Sequence, residues 1–137
     1  MNKIRLLVSF LGALSALAGA GAANAQAWPT RPVKLVVSFP PGTTPDVVAR
    51  VVAPRMQEAL GQPVIVENRA GAGGNVAADA VAKSVPDGYT LLVSTNAAVA
   101  TNKVLYDNLP YDPERDLATV SLLATAAQAL VVRTGVP

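Results

Sequence analysis

Val33-Lys34-Leu35-Val36-Val37-Ser38-Phe39, stopped by Pro40-Pro41-Gly42 and taken up again by Thr43-Thr44-Pro45-Asp46-Val47, is the stretch on which the fold turns. Its first part is an apolar, β-branched run, which reads as a strand buried on both sides, as in parallel sheets. Thr44-Pro45-Asp46 then has the form of a helix start: an N-cap, a proline at the first helical position and an acid in the first turn. Val47, Val48, Val51, Val52, Met56 and Leu60 follow at helical spacing, and Gly61 can close the helix in the left-handed conformation. Pro54 conflicts with this pattern because it removes a donor and clashes with the carbonyl of Arg50. It predicts a kink or two short helices.

The same grammar recurs outward from this unit. Val64-Ile65-Val66-Glu67 reads as a second strand, Asn68 to Gly74 as a glycine-rich loop, and Asn75 as the cap of a helix through Val76, Ala77, Ala80, Val81 and Lys83. Pro86-Asp87-Gly88 is a turn, proline presetting φ and glycine taking the positive value. Tyr89 to Ser94 is a third strand, with Thr95-Asn96 placed to cap a helix over 97–106. Residues 119–124 and 129–133 have the β-branched, apolar character of two further strands. Strands alternating with helices predict an α/β layer structure with a mostly parallel sheet flanked by helices.

The chain has 137 residues, 51% of them apolar, with neither cysteine nor histidine. One domain is the default at that length. The missing residue types exclude a thiol nucleophile, a disulfide framework, a Ser-His-Asp triad and the usual zinc sites. Lys3 and Arg5 precede an uncharged run over 6–20, and Ala23-Asn24-Ala25 supplies a small-x-small box before Gln26. Residues 1–25 therefore read as a secretory signal peptide, removed to leave 26–137; an uncleaved anchor is the alternative, for which the apolar run is short. The 11 basic residues face 9 acids, and the leader carries the excess. With 4% aromatics and a neutral mature chain, nothing favours nucleic acid.

In a parallel α/β sheet the site forms beyond the carboxyl ends of the strands. Three loops fall there: 39–46, 68–75 and 94–97. Each leads into a predicted helix N-terminus, whose free N–H groups attract an anion. Gly42, Gly71, Gly73 and Gly74 clear side chains from that backbone, while Thr43, Thr44, Ser94, Thr95 and Asn96 add hydroxyl and amide groups. This suits a carboxylate or other small oxyanion held by neutral dipoles. Asp46 fits a dipole-complementing or water-mediated role, Arg69 a partner for Glu67 or another acid with a ligand clamp as the alternative, Trp28 a packing anchor, and Tyr106 and Tyr111 packing or rim positions. The dinucleotide fingerprint, the phosphate-binding P-loop and the Gly-x-Ser-x-Gly elbow are all absent, and no cofactor is implied. A small α/β hydrolase using Ser94 or Thr95 with Asp46 would lack a suitable base.

Several segments together carry a resemblance: Trp28-Pro29-Thr30-Arg31-Pro32, Phe39-Pro40-Pro41-Gly42, Glu67-Asn68-Arg69-Ala70-Gly71-Ala72-Gly73-Gly74-Asn75, Pro86-Asp87-Gly88-Tyr89-Thr90-Leu91 and Leu109-Pro110-Tyr111-Asp112-Pro113. In that order they resemble the solute receptors of tripartite tricarboxylate transporters, the Bug family of periplasmic binding proteins. The resemblance implies the N-terminal lobe of a type 2 periplasmic-binding-protein-like fold that captures a small organic acid and delivers it to membrane permease subunits, without catalysis. Ligand contacts are implied for Phe39, Pro41, Gly42, Thr43, Thr44 and Asp46, for Ala72, Gly73, Gly74 and Asn75, and for Ser94, Thr95 and Asn96. Thr43 stands where the family's second glycine is expected and Pro45 where threonine is common, which predicts either obstruction of close backbone approach or a restricted φ at 43, and leaves the ligand preference open. Family members run to well over twice this length, so 26–137 is expected to be a partial, incomplete first lobe. The rival expectation is a half-receptor completed by self-association or by a partner chain.

Overall fold

The computed structural model describes residues 27–127 and 129–135; the leader expected over 1–25 lies outside them. Strand β1 (Val33–Val37) is followed by helix α1 (Thr44–Leu60), strand β2 (Val64–Asn68), a 3-10 turn (Ala72–Gly74) running into helix α2 (Asn75–Ala82), and strand β3 (Thr90–Val93). A π-type turn (Ala97–Thr101) then leads into the short helix α3 (Asn102–Leu105). The three strands are parallel in the order β2-β1-β3, with Leu35 opposite Val66 on one side and Leu91 on the other.

This order explains where the helices lie. The connection from β1 to β2 steps one way and the connection from β2 to β3 steps back across β1. Right-handed crossovers in opposite directions put their helices on opposite faces. Accordingly Ala49, Ala53 and Met56 of α1 pack with Leu35, Val37, Val66, Leu91 and Val93. Ala78 and Ala82 of α2, Ala98 and Tyr111 pack with Leu92, which points the other way. All of β1 except Lys34 is buried, as expected of a central strand covered on both sides.

Four local expectations are corrected. The helix carried past Pro54 is continuous from Thr44 to Leu60, because Pro54 lies on the exposed face, where water can serve the Arg50 carbonyl that loses its donor. Its buried stripe is Pro45, Asp46, Ala49 and Ala53, while Val47 and Val51 face solvent; small residues let α1 sit close on the sheet. Gly74 rather than Asn75 occupies the N-cap position of α2, and Thr43 rather than Thr44 that of α1, neither with a side-chain cap. Finally, 119–124 and 129–133 form no strand, and Val120, Leu122, Leu130 and Val131 stand largely exposed. β-propensity needs a paired neighbour to become a strand, and these residues have none here.

The turn at Gly61 (φ 66°) donates its amide to Gln57 as expected. At the amino edge of the sheet, the Trp28 indole donates to the Asp87 carbonyl at 3.2 Å and its ring packs 5.8 Å from that of Tyr89. Arg31 stacks 4.0 Å over Tyr89 and pairs with Asp87. Trp28 is thus a packing anchor, at the end opposite the predicted site.

Candidate functional site

Because all three strands run the same way, their following loops open on one rim. The chain leaves β1 for β2 and returns to β3, so the topological switch point, where open α/β sheets bind ligands, lies between the carboxyl ends of β1 and β3. Ser38 and Ser94 stand there, their hydroxyls 2.8 Å apart. Gly74 presses on Ser38: a Cβ at position 74 would stand 3.2 Å from the Ser38 Cβ and 3.4 Å from the Ala98 Cβ. The 39–46, 68–75 and 94–97 loops therefore meet around the end of β1.

The first loop is built around Asp46. Its carboxylate accepts from the Gly42 amide at 2.9 Å, from Arg50 Nε at 3.0 Å and from Asn68 Nδ2 at 2.9 Å. Asn68 Nδ2 also reaches the Phe39 carbonyl at 3.0 Å, and Asn68 Oδ1 accepts from Arg50 Nη2. The buried acid is consumed inside the loop rather than aimed at a ligand, and it sets the loop's shape. Thr43 takes φ −81°, ψ 162°, ordinary extended backbone, so the side chain in place of glycine costs no strain. Its hydroxyl donates to the Pro40 carbonyl at 2.6 Å.

The second loop is held by Asn102, the first residue of α3. Its Nδ2 donates to the Gly73 carbonyl at 3.0 Å and to Asn75 Oδ1 at 2.6 Å. The Tyr111 hydroxyl lies 2.6 Å from the Ala98 carbonyl and 3.0 Å from the same Asn75 oxygen. Asn75 is thus a buried framework group, its Oδ1 turned into the molecule. Thr95 Oγ1 accepts from the Ala97 amide at 3.3 Å.

Several loop amides are spent internally: Gly42 on Asp46, Thr43 on Pro40, Gly74 on Gly71 and Asn75 on Ala72. Among the described residues, those of Thr44, Asp46, Ala72, Gly73, Thr95 and Asn96 donate to no protein acceptor. The nearby cations are matched by acids: Arg50 by Asp46, and Arg69 by Glu67, which Lys34 also approaches at 2.9 Å. The rim offers an anion neutral dipoles, with no unpaired cation from these two arginines. It is also open, with residues 40–42, 71–73 and 96 exposed. A groove of about 390 Å³ lies between α1 and β2 and one of about 360 Å³ around Tyr106 and Tyr111.

Ser38, Asn68 and Asn102 were not singled out by sequence reasoning, yet they hold the three loops together. The signal that could have found Ser38 is its place directly at the carboxyl end of the central strand.

The Arg50 hydrogen bond, then the Gly42 and Asn68 amides, hold the Asp46 carboxyl down from 3.8 to about 2. A depressed carboxyl stabilises the fold above its unfolded pKa and loses that contribution as pH falls through its folded one. The melting temperature should therefore fall between about pH 4 and pH 2, and Asp46→Asn should flatten that slope. Lys34 first and Arg69 second also lower Glu67, so a residual slope should persist in the variant. Thermal melts of both proteins across this range check the expectation; equal slopes would overturn it.

The profile of the family described as "Tripartite tricarboxylate transporter family receptor" matches residues 48–137. The protein BugT of Bordetella pertussis is 47% identical over 133 residues, covering 96% of this chain and 40% of that protein. Among solved structures, MatC of Rhodopseudomonas palustris with bound malate is 42% identical at a TM-score of 0.67, over 70% of this chain and 33% of that one. A second protein of R. palustris, Rpa4515 with adipate, is 47% identical at a TM-score of 0.61, over 64% and 29%. The chain spans two fifths or less of the length of the curated relatives it matches. Its α/β layers are those of a lobe in these binding proteins.

Proposed function

The chain belongs to the tripartite tricarboxylate transporter receptor family, and on that premise we propose that it captures a small organic acid in the periplasm and passes it to membrane permease subunits. The observation that carries this reading is the convergence of three amide- and hydroxyl-bearing loops on one rim at the switch point between β1 and β3. One carboxylate docks on the amides of Thr44, Asp46, Ala72 and Gly73 and on the hydroxyls of Ser94 and Thr95. The malate and adipate held by two relatives indicate the ligand class: short dicarboxylates. Export through the leader at 1–25 accounts for the compartment. Gly42, Thr43 and Asn75 shape the rim, and Asp46 acts from beneath it.

Dipoles on an open surface hold an anion weakly, since affinity grows with enclosure and loss of water. Titration of ¹⁵N-labelled chain with malate and with adipate should give dissociation constants on the order of 1 mM. The shifted amides should be those of Thr44, Asp46, Ala72, Gly73, Thr95 and Asn96, with the Trp28 indole and the Tyr89 amide unmoved. Shifts centred on the amino edge, or none at all, would overturn the reading.

A further inference from the structure

We propose that Ser38 and Ser94 form a hydroxyl relay, in which buried Ser38 fixes Ser94 as the donor to the ligand's carboxylate; this rests on the receptor reading above. Ser38 has no exposed surface, so it cannot meet a ligand itself. Its hydroxyl has one proton to give. Two acceptors are in reach: Ser94 Oγ at 2.8 Å and the Val93 carbonyl at 3.4 Å. The carbonyl already accepts the Ser38 amide at 3.1 Å, so the shorter contact takes the proton.

The consequence falls on Ser94. With its oxygen receiving the Ser38 proton, its own proton cannot lie along the same line and turns to the half-exposed side, toward the rim. A hydroxyl that accepts one hydrogen bond donates a stronger one. The arrangement is held mechanically as well, because Ser38 is fully buried with the Gly74 backbone closing on its side chain. Thr43 is the contrast: its proton goes to the Pro40 carbonyl at 2.6 Å, so it can accept from a ligand hydroxyl but not donate to a carboxylate. Ser94 is then the hydroxyl that recognises charge, and Thr43 one that tolerates a hydroxylated acid.

The test is a double-mutant cycle read by malate affinity, with melting temperature as the control. Ser94→Ala should weaken malate binding roughly five-fold, about the size of one hydrogen bond. Ser38→Ala should weaken it less, and should add nothing in the Ser94→Ala background, with melting temperatures close to wild type. Independent, multiplying effects of the two substitutions would overturn the relay, as would an unchanged affinity in Ser38→Ala beside a weakened Ser94→Ala. Full malate binding by Ser94→Ala would overturn the relay and leave the receptor reading standing. No binding of malate or adipate by the wild-type chain would overturn the receptor reading, and the relay with it.

Discussion

Asp46→Ala is expected to lower the melting temperature by ~10 °C or more at pH 7, because it breaks a buried, fully engaged ionic cluster in a small domain. Asp46 is 3% exposed and accepts from three donors on three segments: Gly42 before α1, Arg50 one turn along it, and Asn68 at the end of β2. Alanine leaves the Gly42 amide and one hydrogen of Asn68 without partners and puts a guanidinium over an apolar gap. The loss of a partner costs more than the pair is worth against an apolar replacement, so single truncation is the severe case. Asp46→Asn should be nearly as damaging, since its amide would point a donor at a site filled by donors. Arg50→Ala should cost less, because half of Arg50 is already in water and Asp46 keeps its two neutral donors. Arg55→Ala, from a pair exposed on both sides, should do almost nothing. Circular-dichroism melts give the ranking. An Asp46→Ala protein melting within about 2 °C of wild type would show that the cluster does not hold the first loop.

Much of this was legible in the sequence, for identifiable reasons. The run at 33–37 could only be a strand covered on both faces, and Gly61 and Gly88 sit where the chain must take a positive φ. Parallel order then follows from alternation, and the common rim from parallel order. The Arg69–Glu67 pair was readable because its members are two residues apart. What escaped were pairings at long range. Ser38 meets Ser94 across 56 residues, and Asn102 meets Gly73 across 29. A serine or asparagine that is solvated looks the same in sequence as one that locks two loops. The exposed Val47 and Val51 misled for a different reason: hydrophobicity marks them as the inner face, but close approach of helix to sheet selects Ala49 and Ala53. The strands expected over 119–133 failed because local propensity says nothing about an available edge.

Gly74→Ala is expected to cost about 3 kcal/mol, more than twice what a positive φ alone would cost at its low end, and the comparison with Gly42→Ala isolates the reason. Both glycines hold left-handed backbone, φ +95° at 74 and +83° at 42, so each pays about 1–2 kcal/mol for acquiring a Cβ. At 42 nothing lies within 4 Å of the new methyl, and the penalty should end there. At 74 the methyl would meet the Ser38 Cβ at 3.2 Å and the Ala98 Cβ at 3.4 Å. Both neighbours are buried, one at the end of the central strand and one in the π-type turn, so neither can retreat without moving its backbone. Overpacking of this kind adds a further 1–3 kcal/mol. Urea denaturation with an unchanged slope should resolve the difference in midpoint. The same methyl pushes Ser38 away from Ser94, so malate titration should show weakened binding in Gly74→Ala. Equal destabilisation of the two variants would mean that the second loop does not close on the end of β1, and that the three turns do not form one surface.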